Sequence, residues 1–428
     1  MIKSKYKNFQ MSESALILNK HILICINEQL SVPTRKDAEY IKLHFCGLHF
    51  SDMNSFNDCK LQSGAIVYMC GNIEKNYSEM KNSSNHDPEI LVVKDLSYNY
   101  ENRSSLISLG EVPINIYNTG VYFRQLFTSN KDYFGSITGE HKFQSLTESN
   151  KSGEAFRTGI YLTKVKELEN ELQFRLLRCS SNLKGPTDNF RTTDDEIVSR
   201  VNHIANLFFD ENAELNHVLA QVYENRELSP DSSSSSSKVE KKAKIKEHSD
   251  KTKDMPRNGL IAFCTFYKNY QDGFGNILKD VKLSNDDRFD YHYKNTSVLT
   301  RLRFRLKDPN LKLQKRFDVV LYPNSVFIIS LSTNRLYTHE IVPSILPIDT
   351  IPIRLGYVIR CSKTEAIFRN EKTFIKNEDK HTELLEPDED GIKNLKELYR
   401  QENLTDQLIT YGKFDFSLNK GDYQRPIV

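Results

Sequence analysis

The 428-residue chain contains no tryptophan. Phenylalanine (24) and tyrosine (21) are nevertheless abundant, a usage that suits strands. Seven cysteines are scattered along the chain, odd in number and without a Cys-x-x-Cys pair. That excludes a simple disulfide framework and predicts reduced thiols in an intracellular setting. No apolar run nears the roughly 18 residues that a membrane span needs, so no membrane partner is expected. The opening MIKSKYKNFQMSES is basic but lacks an apolar stretch. It predicts an unsecreted, cytoplasmic or nuclear protein. Charge of one sign is missing too: 59 basic against 57 acidic residues give a net +2. Any nucleic-acid contact must then come from a local patch. Neither a Walker-type loop nor a Gly-x-Gly-x-x-Gly occurs, so ATP and dinucleotide chemistry are unsupported. Oligomeric state is not legible.

Three parts are legible. The first, residues 1–115, is expected to be β-rich and has no readable role. Tyr40–Cys46 (YIKLHFC), Gly64–Cys70 and Glu89–Val93 are its strand candidates. The second, 116–375, carries the chemistry. Asp194–Phe209 has a helical period, with Ile197, Val201, Ile204 and Leu207 or Phe208 on one face. Short strand candidates recur at Leu219–Tyr223, Ile261–Tyr267, Val298–Leu306, Phe317–Tyr322, Ser325–Leu331 and Gly356–Arg360. Many short strands with polar turns point to a mainly β, α+β class with a jelly-roll core and flanking helices. Ser232–Ser237 and the following KVEKKAKIK predict a flexible insertion over 229–246. The third part, 376–428, is a charged tail with one helical stretch at Ile392–Gln401.

The pattern richest in chemistry is His248-Ser249-Asp250, followed far downstream by His339. Two imidazoles and one carboxylate are the ligands of a facial triad, which holds Fe(II) and leaves three coordination positions open. Alternation on an extended backbone puts His248 and Asp250 on one side. Thr338 and Glu340 flank His339 and could orient its second ring nitrogen. Next comes Arg354-Leu-Gly-Tyr-Val-Ile-Arg360. On a strand Arg354, Gly356, Val358 and Arg360 share a face. Two guanidiniums on one face suit a dicarboxylate that also chelates a metal. A metal triad and an anion clamp in this order suggest an iron and 2-oxoglutarate oxygenase. The plainer reading is a loop His and Asp, a core His339 and two paired surface arginines.

Thr300–Lys307 (TRLRFRLK) is the best basic patch. Arg301, Arg303, Arg305 and Lys307 lie on one strand face and could bind a phosphate backbone. The plainer account is the solvated face of an edge strand. His44, Cys46 and His49 lack a standard zinc spacing and read as strand and loop residues.

The run from Gln221 to Arg360 resembles the AlkB-like branch of the Fe(II)/2-oxoglutarate oxygenases. The family's Asn-x-Tyr strand is matched by Gln221-Val-Tyr223, its His-x-Asp by His248-Ser-Asp250. Its Tyr/Trp-x-His is matched by Tyr337-Thr-His339, its Arg-x5-Arg strand by Arg354 to Arg360. The resemblance implies a double-stranded β-helix and iron held by His248, Asp250 and His339. It implies that Arg354 pairs with the distal carboxylate of 2-oxoglutarate, that Arg360 lies near its metal-bound end, and that Tyr223 and Gln221 bond the cosubstrate. It implies O2 as the second cosubstrate, with succinate and CO2 released. The substrates it implies are alkylated bases of DNA or RNA, extruded or single-stranded, as in repair. The chain departs from the family in the Ser/Lys insertion, in Gly356 where the family has a second Asn, and in extra length around 269–294. Protein or small-molecule hydroxylation on the same core, or an inactive binding module, remain the alternatives.

Overall fold

The computed structural model describes residues 14–26, 32–81, 88–147, 154–179, 183–228, 239–270, 282–283, 289–377 and 380–428. The serine run Ser232–Ser237 lies outside them. The protein is mainly β, with seven α-helices among the described residues. No helix among these residues is long and apolar enough to cross a membrane.

The N-terminal part differs from the β-rich expectation. It is an α/β unit whose five strands are all parallel, in the order Leu48–Phe50, His21–Cys25, Ile66–Asn72, Glu89–Tyr98, Leu106–Ile107. Parallel neighbours need crossovers, and helices supply them. Tyr40–Cys46 is not a strand: the helix Val32–His44 runs through most of it. Its buried Ala38 and Ile41, with Phe45 just past its end, follow a helical spacing that the seven-residue window was too short to separate from alternation. Phe45 bridges to Ile114, and Tyr68, Leu109 and Tyr122 share one apolar cluster with the following domain.

Two further sheets share the core of the central part. The larger runs Asp188–Asn189, Glu154–Thr163, His217–Tyr223, Arg354–Arg360, Leu260–Tyr267, Ser325–Ser330, Gly120–Phe123, Ile114–Asn115, with Gln144–Thr147 on its second strand. The smaller runs Ile245–His248, Tyr337–Val342, Arg301–Leu306, Arg316–Val320. Phe263 and Phe327 of the larger meet Phe304 of the smaller, with ring centroids 6.5 and 5.7 Å apart. The other face of the large sheet packs on helices Tyr133–Glu140 and Thr192–Phe208. That layering explains the near-continuous burial of Leu260–Tyr267 and Ser325–Ser330, which are covered on both sides.

One further expectation changes. The insertion was expected to be flexible to residue 246, but Val239–Lys241 pairs with Arg226–Leu228, and Ile245–His248 is a strand of the smaller sheet. Ala243 and Ile245 pack on the core, which anchors the lysine-rich stretch despite its charge. The charged tail from 376 holds the expected helix, as Glu389–Leu404, and is packed onto the rest of the fold. His381–Glu383 pairs with Lys372–Lys376 at the edge of another sheet, helix Glu389–Leu404 buries Leu395 and Glu402, and Ile427 bridges to Asp188.

Candidate metal centre

His248 closes one strand of the smaller sheet and pairs directly with His339 on the next, their rings 4.5 Å apart. Asp250 lies two residues further on. One ligand atom from each of His248, Asp250 and His339 falls within 4.8 Å of the others. Ninety residues of chain separate the ligands at no structural cost, because the strands are neighbours.

The ligands are oriented from behind. His248 Nδ1 lies 2.8 Å from the Lys246 carbonyl oxygen, so that nitrogen donates and Nε2 keeps its lone pair. The Asp250 amide donates to Asn334 Oδ1, and Asn334 Nδ2 returns a bond to the Asp250 carbonyl, both at 2.9 Å. Arg360 Nη2 donates to Asp250 Oδ1 at 3.0 Å. His339 sits between the Phe263 and Phe304 rings. Thr338 and Glu340 do not orient it. Thr338 bonds Glu247 and Glu340 pairs with Arg303, because strand neighbours project to the opposite face.

Burial lowers the pKa of both imidazoles, that of His339 to about 3 with help from the neighbouring His248. Burial works against the Asp250 carboxylate, but the Arg360 guanidinium, joined by His339, His248 and Lys251, outweighs it and holds the acid below its usual range. At neutral pH the trio is two neutral imidazoles and one carboxylate, the protonation state a divalent cation requires. Asp250 Oδ2 and His339 Nδ1 are buried without a hydrogen-bond partner. Buried polar atoms are rarely left so, and here two belong to a set of ligand type. His248 alone of the three has an appreciably open side chain, at 31%.

The arginine strand lies between His217–Tyr223 and Leu260–Tyr267. Arg354 is 4% exposed, and its guanidinium stacks 3.9 Å over the Tyr223 ring. Its Nε and Nη2 have no hydrogen-bond partner. A buried guanidinium without an anion is costly, which marks a place for a carboxylate. Tyr223 donates its hydroxyl to Gln221 Oε1 at 3.2 Å, and Gln221 pairs across the ladder with Gly356. A Cβ at Gly356 would lie 2.9 Å from Arg354 Nη1 and 3.2 Å from Tyr223 Cε2. The glycine therefore makes room for the stacked guanidinium to lie along the strand toward Arg360. The structure thus gathers His248, Asp250, His339 and Arg360 into one group, and stacks Arg354 on Tyr223 with Gln221 beside it, further along the arginine strand.

The basic strand is different. Arg301, Arg303 and Arg305 do share a face, with Leu302, Phe304 and Leu306 buried on the other. Their charges are matched, however: Arg301 and Arg303 share Asp318, Arg303 also faces Glu340, and Arg305 pairs with Glu247. Lys307 leaves that face and donates to the Glu402 and Thr405 carbonyls.

Glu140, His141 and Asp194 form a second group that could hold a metal ion. Both His141 nitrogens are taken, by Asp188 at 2.8 Å and Asp194 at 2.7 Å. With Arg191 and Tyr357 also bonded into the cluster, it joins a helix to the large sheet.

Asn334 carried no signal in the sequence, nor did Asn403 and Glu402. These two reach the loop after His248 from the C-terminal helix, at Ser249 N (2.9 Å) and Thr252 N (3.1 Å). No family model matches the chain, and no curated protein matches it.

Proposed function

We propose that the chain is an Fe(II)- and 2-oxoglutarate-dependent dioxygenase of AlkB-like type, its two facing central sheets forming a double-stranded β-helix. The observation that carries this is one assembly: a two-histidine, one-carboxylate trio with Arg360 on its carboxylate and an unpaired, buried Arg354 further along the same strand. Bound there, iron with 2-oxoglutarate and O2 supplies the oxidising chemistry that hydroxylates a substrate C–H bond, with succinate and CO2 released.

The chain's own residues have defined tasks in this reading. His248, Asp250 and His339 hold the metal. Arg360 fixes the Asp250 carboxylate and keeps it ionised. Arg354, stacked on Tyr223, takes the distal carboxylate of the cosubstrate, and Tyr223 and Gln221 offer hydrogen bonds to it. Phe263 and Phe304 exclude water from the His339 side. The partly open His248 side is where substrate approaches.

For the substrate we infer alkylated nucleic-acid bases, whose hydroxylated N-methyl group leaves as formaldehyde. The charge-matched Arg301–Arg305 strand favours a second reading, hydroxylation of a protein or small molecule on the same core. The deciding experiment is succinate release by anaerobically Fe(II)-loaded protein on exposure to O2, alone and with N-methylated oligonucleotides. Stimulation by an oligonucleotide with formaldehyde appearing supports dealkylation. Unstimulated turnover moves the substrate to the second class. No turnover, with iron failing to bind, overturns the oxygenase.

A further inference from the structure

Behind the metal-bearing loop lies a cavity of about 520 Å³. Ser249 turns away from its neighbours His248 and Asp250, and with Thr252, Lys253 and Arg257 it forms one wall. The stretch from Leu408 to Asp415 forms the other. None of the three metal ligands lines it.

Its lining is unbalanced in charge: eight Arg or Lys side chains face three Asp or Glu. The three acids are committed. Asp254 takes Arg178 Nη2 at 2.7 Å and the Thr364 hydroxyl at 2.9 Å. Glu402 takes the Thr252 amide and the Tyr411 hydroxyl. Asp415 pairs with Lys413.

Lys253 is the decisive residue. Its side chain is 5% exposed, and its ammonium has no hydrogen-bond partner. The nearest carboxylate oxygen, Asp254 Oδ2 at 3.7 Å, already accepts from the Arg178 amide and Nε. Burial pulls the Lys253 ammonium down to about 8, with Asp254 opposing and Arg178 reinforcing. Arg257 and Lys363, at the rim, make no ion pair among the described residues. A buried cation short of partners, in a cavity with surplus positive charge, calls for an anion. Guanidinium forks and ammonium groups together match phosphate. The volume fits a small ligand, and Met255, Leu408, Tyr411 and Phe414 give it an apolar and aromatic side.

We propose that this cavity is a phosphate-binding site, separate from the metal centre, for the phosphate groups of a nucleotide-sized ligand. It does not depend on the oxygenase reading: a protein that binds no iron would still have it.

The test is equilibrium dialysis of ADP against the full chain at low salt, with an unmethylated oligothymidylate as competitor. The unsubstituted chain should bind ADP at submillimolar concentration. Arg257→Glu and Lys363→Glu, both at exposed positions, should each weaken binding at least tenfold. Lys253→Met should abolish it with the circular dichroism spectrum unchanged. Lys60→Glu makes the same charge change on the N-terminal unit and should leave binding as it was. Competition by the oligonucleotide assigns the site to backbone phosphate, and its failure to compete assigns it to a free phosphorylated ligand; both support the site. Absence of ADP binding up to millimolar concentration, or equal weakening by Lys60→Glu, overturns it.

Discussion

Arg360 and Asp250, 110 residues apart, meet through a 3.0 Å hydrogen bond with both side chains less than a tenth exposed. The pair places a fixed positive charge directly behind the carboxylate of the metal trio. Such an ion pair, already desolvated, depends on both members.

Arg360→Ala therefore leaves an uncompensated buried carboxylate. The expected cost is about 3–5 kcal/mol of stability, read as a lower urea midpoint of the metal-free protein. Asp250→Asn keeps the shape, removes the ligand charge and should abolish Fe(II)-dependent turnover. Full retention of activity in Asp250→Asn would mean that another carboxylate holds the metal.

Under the proposed function, Arg354→Ala removes the guanidinium that would take the distal carboxylate of 2-oxoglutarate and leaves the metal ligands in place. Truncating one partner of a buried charge pair costs about 2–5 kcal/mol. The apparent Kd for 2-oxoglutarate should rise thirtyfold or more while Co(II) affinity, followed by its visible spectrum, stays within about twofold. Equal loss of both would refute the assigned role.

Gly356→Ala tests the stacking geometry. The added methyl falls 2.9 Å from Arg354 Nη1 and 3.2 Å from Tyr223 Cε2, so the stacked guanidinium must shift on the Tyr223 ring. Overpacking of this kind costs about 1–3 kcal/mol. KM for 2-oxoglutarate should rise roughly tenfold with metal affinity intact. An unchanged KM would show that the stack is incidental.

His141 gives a pH signature away from the metal centre. Burial opposes its charge, but Asp188 and Asp194 prevail and raise its pKa from 6.5 to about 9. A raised folded-state pKa stabilises fully below the unfolded value and ceases to do so above the folded one. The urea midpoint should fall as pH rises from about 6.5 to 9, by up to about 3 kcal/mol in stability. His141→Gln should be less stable at pH 6 and should lose most of that slope. An equally steep fall in the variant would place the titration elsewhere.

Local pattern reaches only part of the site. His248, Asp250 and His339 could be nominated because ligand chemistry limits the residue types and strand alternation sets their faces. Arg354 and Arg360 could be nominated for the same reason. Asn334 could not, since an Asn on a short helix has no periodic or compositional mark. Asn403 and Glu402 sit about 150 residues from the loop they bond, and nothing local connects them. The parallel N-terminal sheet was hidden because Tyr40–Cys46 satisfies a strand period over its seven residues, while the helix that runs into it spans the thirteen of Val32–His44.

By itself the sequence determined the inventory: ligand types, their order, the alternation of Arg301–Leu306 and the helical face of Ile197–Phe208. These depend on side-chain chemistry and on backbone periods of 2 and 3.6 residues, which adjacent positions encode. The tertiary structure decided everything that depends on distant neighbours. It set His248 against His339 and Arg360 behind Asp250, neutralised the basic strand with Asp318, Glu340 and Glu247, and left Arg354 and Lys253 short of partners. Whether a charge is matched or waiting is a property of what packs beside it, and only the folded chain supplies those neighbours.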